Sequence, residues 1–353
     1  MKSISLMRSG ELINLFEYME DFYLIANEAN NALKQLRIGL PTWVSKEQYS
    51  EMNISLWVYY DDIHPNAFCY YVDGNNYIAL SSRLLVELWN AAEDFTNKEK
   101  LSLVFKLSED NKHSYAEALY FYMLNFIIAH EFGHIAHGHL KDNNCKTGID
   151  EMLMTINETS DKYRQTNNWL TQLKEYDADS FAVAINSILF LQQWSDDFKA
   201  NLSNFDKLFV SNYLCFQVFA EKTGRNFDMY FSKNVAEYDH PYPGIRMYYT
   251  FIWYSYWIGR VRGFGEDTMK ILYSGCHAIL AYEKSILENE EIKECYFSVA
   301  LTEKGVQHIM NLHNGWKEII NQLNQFADCP IEEVDAIDSI PFSLDENGCF
   351  IKK

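Results

Sequence analysis

Glycine and proline are scarce, 15 and 6 residues in a chain of 353. That excludes collagen-like and low-complexity architectures and disfavours a many-turned all-β fold. The seven cysteines stand singly at Cys69, Cys145, Cys215, Cys276, Cys295, Cys329 and Cys349. An odd count with no CxxC pair argues against a disulfide framework or a cysteine zinc knuckle and for a reducing, cytoplasmic setting. Basic clusters are absent too: 30 Lys and Arg stand against 49 Asp and Glu, a net charge of −19. Nucleic acids and anionic membrane surfaces are therefore not expected partners. The richest apolar runs, 117–129, 181–191 and 247–258, are shorter than the roughly 18–20 residues that cross a bilayer, and the N-terminus has no apolar signal core. No P-loop, no dinucleotide-binding glycine fingerprint and no GxSxG occurs.

What is present is an ordinary globular composition, 48% hydrophobic and 22% charged. It can bury a sizeable core, in one large domain or two. Apolar residues recur every three to four positions over 11–36, predicting a helix. Residues 54–60 and 68–72 read as strands. The turn signal Asp73-Gly74-Asn75-Asn76 and the run 77–80 make 68–80 a hairpin candidate. A helix capped by Ser81 or Ser82 runs to about Phe95. Residues 96–113 and 140–167 are polar connections. Further helices are expected at 114–139, 168–193, 203–222, 243–262, 266–288 and 302–327, before a proline-bearing tail at 329–353.

The chemistry concentrates in His130-Glu131-Phe132-Gly133-His134. On a helix, side chains four apart lie about 40° apart around the axis and one turn up, so both imidazoles face one point. They can share Zn²⁺ at roughly 2.0–2.1 Å each. Glu131, beside the first histidine, can take a proton from a water that the metal acidifies to a pKa of about 7. Two histidines and a glutamate in so apolar a helix are costly to bury unless something pairs with them. A third ligand is still needed. The pattern HExxHxxGxxH fails, because His137 and Leu140 stand where it needs glycine and histidine. Glu175 and Asp179, four apart on the next helix, offer a ligand and a carboxylate for a ligand histidine, His130 in the first instance. Taken alone they would read as a solvated helix face, and Asp177 is the rival ligand. His137 reads by default as a packed helix histidine, and His308 and His313 as surface or core. Cys276-His277 lacks a third partner for thiol chemistry.

An HExxH with a downstream ExxxD resembles the gluzincin metallopeptidases, in particular the HtpX/CAAX-prenyl-protease type and its soluble relatives. His139 matches a histidine nine residues after the first ligand in that type. Pro65-Asn66-Ala67-Phe68 resembles its "NAF" segment. Asp239-His240-Pro241-Tyr242-Pro243-Gly244-Ile245-Arg246 resembles its "HPxxxxR" element, here HPYPGIR. The resemblance covers roughly residues 60–250. It implies zinc on His130, His134 and Glu175, with Glu131 as catalytic base. It implies His240 over the metal as an oxyanion donor, Arg246 paired with Asp179 or another buried acid, and an edge strand at Asn66, Ala67, Phe68, Cys69 and Tyr70 that takes an extended substrate. The chain lacks the spans of the integral-membrane members. A looser similarity, to the soluble phage-exclusion protease Lit, points to a bacterial toxin-like or phage-defence role.

The expectation is an α+β, mostly α protein. Residues 1–260 would form a zincin-like catalytic core with a small antiparallel sheet and an active-site helix, and 261–353 a helical C-terminal region. Its function would be zinc-dependent endopeptidase action on a protein or peptide substrate, with an activator or regulatory partner left open. The alternative is a zinc-stabilised, non-enzymatic sensor or interaction protein.

Overall fold

The computed structural model describes residues 51–59, 61, 63–141, 148–150, 162–192, 198–223, 235, 238–263, 267–287, 296–334, 342–344 and 350–352. The expected helix at 11–36 lies outside them. The order of elements is β1 (Ile54–Tyr59), β2 (Ala67–Val72), β3 (Asn75–Ser81), α1 (Ser82–Asn97), α2 (Glu99–Val104), α3 (Glu109–Ala136), β4 (Gly148–Asp150) and α4 (Lys162–Gln192). It continues with α5 (Phe198–Thr223), α6 (Pro243–Arg262), α7 (Asp267–Leu287), α8 (Tyr296–Ala300), α9 (Glu303–Leu323), β5 (Phe342–Leu344) and β6 (Phe350–Lys352).

The expected mostly helical α+β fold is what the structure has. Its sheet is mixed rather than wholly antiparallel, in the order β1-β3-β2-β4. β2 and β3 form the hairpin across Asp73-Gly74, both with positive φ, while β1 joins β3 in parallel. Alternation sorts the strands: Ala67, Cys69, Ile78 and Leu80 face the helical core, and Phe68, Tyr70, Tyr77 and Trp57 form an aromatic layer on the other side. Ser81 ends β3 and caps α1, accepting from the Leu84 amide at 3.1 Å. It also accepts the Asn66 amide at 2.9 Å, which fixes where β2 begins.

α3 is the central element. Every residue from Tyr122 to His139 is buried, the pattern of a helix surrounded by structure. It packs against α1, α4 and α5. Gly133 sets the approach of α4: a Cβ there would lie 3.3 Å from the Ala178 Cα and the Phe181 side chain. A larger residue would push apart the two helices that carry the motif and its downstream acids. α3 stops in a Schellman motif. Gly138 adopts φ +71°, its amide donates to the Ile135 carbonyl at 3.1 Å, and the His139 amide donates to the His134 carbonyl at 3.0 Å. The chain thus folds back beneath the last turn.

α6 opens at Pro243, whose missing N–H costs nothing at a first helical position, and closes at Gly263 with φ 67°. The core is continuous from Met52 to Val334. The amides of Asp328 and Cys329 donate to the Ala136 carbonyl at 2.8 and 2.9 Å, so the C-terminal segment caps the end of α3. Among the described residues no helix is long and apolar enough to cross a membrane.

Candidate metal centre

His130 and His134 on α3 meet Glu175 on α4. Their ring Nε2 atoms are 3.0 Å apart. His130 Nε2 lies 3.3 Å from Glu175 Oε2, and His134 Nε2 lies 3.4 Å from Glu175 Oε1. Ligand arms of 2.0–2.1 Å in a tetrahedron imply edges of about 3.3 Å, so the spacing is that of a metal cage.

Proton placement tests the fit. His130 Nδ1 lies 2.8 Å from Asp179 Oδ1, so its proton belongs on Nδ1 and its Nε2 is a bare lone pair. His134 Nδ1 lies 2.7 Å from His139 Nδ1, and His139 Nε2 lies 3.0 Å from Asp177 Oδ2. If His134 used Nε2–H to bond His130, its Nδ1 would need a proton from His139 Nδ1. A bare His139 Nε2 would then face a carboxylate. With a cation between the two Nε2 atoms, every pair has one donor and one acceptor. Neither Glu175 oxygen accepts a hydrogen bond of ordinary geometry among the described residues; the nearest nitrogens, of Arg246 and the two histidines, stand at 3.3–3.5 Å. An uncompensated buried ion costs several kcal/mol, and Glu175 is fully buried. The cluster can hold a metal ion.

Asp179 is itself held. Arg246 on α6 donates to both its oxygens, Nε and Nη2 each at 2.9 Å, and the Tyr249 hydroxyl also donates to it. The guanidinium packs 4.8 Å over the Phe216 ring and keeps Nη2 3.5 Å from Glu175 Oε2. His240 is buried in the loop before α6, with Nε2 3.7 Å from Glu175 Oε1 and Nδ1 3.1 Å from Asp239 Oδ1. Gln172 on α4 anchors this loop by donating to the Val235 and Tyr238 carbonyls, both at 2.7 Å. Burial alone would raise the Glu175 pKa. The facing imidazoles, His240 foremost, outweigh burial and hold it well below the carboxylate range.

Glu131, fully buried, is neighboured by Cys69 on β2. Burial first, then the charge of Glu131 and a hydrogen bond to it, pushes the Cys69 thiol well above its usual range. β2 therefore runs alongside the glutamate. Its outer side is not open, which corrects the expectation of a free edge: β4 pairs antiparallel there, Phe68 with Asp150, Cys69 with Ile149 and Tyr70 with Gly148. Among the described strands, β1 is the sheet's other edge.

Asp177, the rival ligand, is elsewhere. Two residues along a helix turn a side chain by about 200°, to a different face from Glu175. There it gathers His137 Nδ1 at 2.5 Å, His139 Nε2 at 3.0 Å and Trp316 Nε1 of α9 at 2.7 Å. Burial lowers and Asp177 raises the His137 pKa, and the carboxylate wins at about 9. For His139 burial wins, bringing it down to about 3. Donor atoms of His137, His139 and Asp177 are also close enough to hold an ion. Sequence reasoning missed this second cluster, although a glycine directly after the helix signals the turn that builds it.

His308 and His313 are core residues. Burial holds His308 at about 4, and His313 Nδ1 lies 3.1 Å from the Tyr176 hydroxyl, itself bonded by Trp253 Nε1 at 3.1 Å. The described cysteines, Cys69, Cys215, Cys276 and Cys329, are reduced and buried. A cavity of about 660 Å³ borders His137, Trp253 and Trp316, and none of His130, Glu131, His134 or Glu175 lines it.

Two buried histidines one turn apart, a glutamate between them in sequence and a carboxylate from the next helix define the class: an HExxH arrangement able to hold a metal ion. The family model of Peptidase family M48 matches residues 44–193. That stretch holds β1 to β3, the HExxH helix and the Glu175–Asp179 pair, while His240 and Arg246 lie beyond it. No curated protein and no solved structure matches the chain.

Proposed function

We propose that the protein is a zinc-dependent metallopeptidase that cleaves internal peptide bonds. The observation that carries this reading is the placement of Glu131 beside a three-ligand cage, in a stretch that matches a peptidase family. A zinc ion on His130 Nε2, His134 Nε2 and Glu175 would polarise the scissile carbonyl and acidify the attacking water. Glu131 takes the proton of that water and passes it to the leaving amine. Asp179 keeps the His130 proton on Nδ1, and Arg246 and Tyr249 fix Asp179. His240 donates to the developing oxyanion from Nε2. Its Nδ1 faces Asp239, so an Nε2 donor requires a proton on both ring nitrogens.

Residues 1–260 carry this chemistry, and the helices of 261–353 brace it through Trp316. Asn66 to Tyr70 lead a substrate past Glu131 as an antiparallel strand. β4 occupies that position, so a peptide exchanges with β4 on entry. A proline at position 149, which removes a ladder donor, is expected to speed cleavage of a short peptide. An unchanged rate would remove β4 from the account. We extend this reading to a cytoplasmic role in phage defence, with a host protein as substrate, on the looser resemblance of the sequence to the phage-exclusion protease alone.

The test compares new protein N-termini in bacterial cells making the wild-type chain or Glu131→Gln, with and without phage infection. Termini unique to the wild type are expected and name the substrate. Identical profiles in both conditions, from proteins that both carry zinc, would refute the peptidase.

A further inference from the structure

The His137, His139 and Asp177 cluster is not used by the chemistry above, yet it touches a proposed metal ligand directly. His134 Nδ1 and His139 Nδ1 are 2.7 Å apart in a fully buried pocket. Two nitrogens at that distance share one proton. If His134 binds a cation through Nε2, its only proton is on Nδ1 and points at His139. His139 Nδ1 must then be the acceptor, and the single proton of a neutral His139 sits on Nε2, facing Asp177 Oδ2 at 3.0 Å.

That proton count rules out a second ion on the same three residues. His139 Nε2 cannot be both protonated and a ligand, and freeing it would need an imidazolate. The distances agree. His137 Nδ1 lies 2.5 Å from Asp177 Oδ2, in hydrogen-bond contact and well short of the tetrahedral edge of about 3.3 Å. Asp177 Oδ1 is already bonded by Trp316 at 2.7 Å.

We infer that His139 and Asp177 are positioning residues for the metal centre: a relay from Asp177 through His139 that holds the His134 proton on Nδ1 and its Nε2 toward the ion. His130 has its carboxylate in direct contact, Asp179. His134 reaches its carboxylate one imidazole further away, because the Schellman turn at Gly138 folds His139 back under it. Trp316 and His137 fix Asp177 from two sides, so α9 of the C-terminal third reaches the centre through three side chains. The Lys174 ammonium, 3.5 Å from the His139 carbonyl, helps hold the turn. This inference rests on the cage reading of His130, His134 and Glu175, but not on cleavage.

The experiment is zinc affinity by chelator competition on the full chain, for wild type, His139→Phe and His139→Asn, with far-UV circular dichroism to confirm folding. The wild type is expected to bind one equivalent. His139→Phe, which leaves the His134 proton without an acceptor, should weaken binding roughly 10–100-fold. His139→Asn places an amide oxygen near the position of Nδ1 and should stay within a few-fold of wild type. A merely structural histidine would not be rescued that way. If His139→Phe does not fold, the asparagine variant decides alongside the imidazole ¹⁵N shifts of the zinc-loaded wild type. These should show His139 protonated on Nε2 and bare on Nδ1. Unchanged affinity in His139→Phe, no rescue by asparagine, the opposite tautomer, or a second zinc equivalent would each overturn the relay. A chain that binds no zinc would overturn both the cage and the relay. One tightly bound zinc without proteolysis would overturn only the peptidase.

Discussion

Two histidine–carboxylate clusters sit side by side where α3 meets α4, and they are built to opposite ends. In the first, the two histidine Nε2 atoms stand 3.0 Å apart and each lies 3.3–3.4 Å from a Glu175 oxygen, both histidine Nδ1 protons are engaged elsewhere, and the Glu175 oxygens accept no hydrogen bond of ordinary geometry among the described residues. In the second, Asp177 is in contact at 2.5–3.0 Å with three ring nitrogens, His137 and Trp316 as hydrogen-bond donors and His139 alongside. Residue types alone do not separate them, since both are two histidines and an acid. Spacing and proton count do. The first turns two ring nitrogens and the Glu175 oxygens toward one point where a metal ion fits; the second is complete with the protons it has.

The largest effect that sharpens this contrast is on catalysis. Glu131→Gln should lower peptide cleavage by about 10²–10⁴-fold, the range for losing a general base, with zinc content unchanged. Measuring both on one preparation separates the base from the cage. Next is metal content. Glu175→Ala should lose stoichiometric zinc after dialysis, while Asp177→Ala should keep it with affinity lowered by roughly 10–100-fold, as for a supporting residue. Equal losses in the two variants would erase the distinction between the clusters.

A stability effect follows from the turn that separates them. A Cβ on Gly138 would meet the Phe326 carbonyl oxygen at 2.3 Å, at φ +71°. Gly138→Ala should therefore cost at least about 1–3 kcal/mol, the range for a strained backbone position, seen as a lower denaturation midpoint.

The smallest effect is a pH dependence in the second cluster. Folded His137 titrates at about 9 against an ordinary 6.5, because Asp177 outweighs burial. A raised pKa stabilises fully below 6.5 and loses that contribution as the pH climbs through 9. The Tm difference between metal-free wild type and His137→Gln should narrow over that interval. A constant difference would mean that His137 is not charged in the fold.

The sequence carried the elements whose signals are local. The HExxH helix and the Glu175/Asp179 pair were readable from four-residue spacing, and α6 from Pro243 at one end and Gly263 at the other. The hairpin was readable from Asp73-Gly74. What escaped depended on distant partners. Asp177 looked like an alternative ligand because nothing near it in sequence announces Trp316, 139 positions away. His139 was noted only as a family match, since its contact with His134 needs the chain to reverse at Gly138. The partner of β2's outer side is three residues in a polar connection, too short to carry a period. The parallel pairing of β1 with β3 also leaves no mark in either strand.

The central claim is that one cluster holds a metal and the other holds the first in shape. Native mass spectrometry of the chain loaded with excess zinc tests it most directly. One zinc per wild-type chain, none for Glu175→Ala and one for Asp177→Asn is the result this account predicts. Two zinc ions per wild-type chain, falling to one in Asp177→Asn, would contradict it.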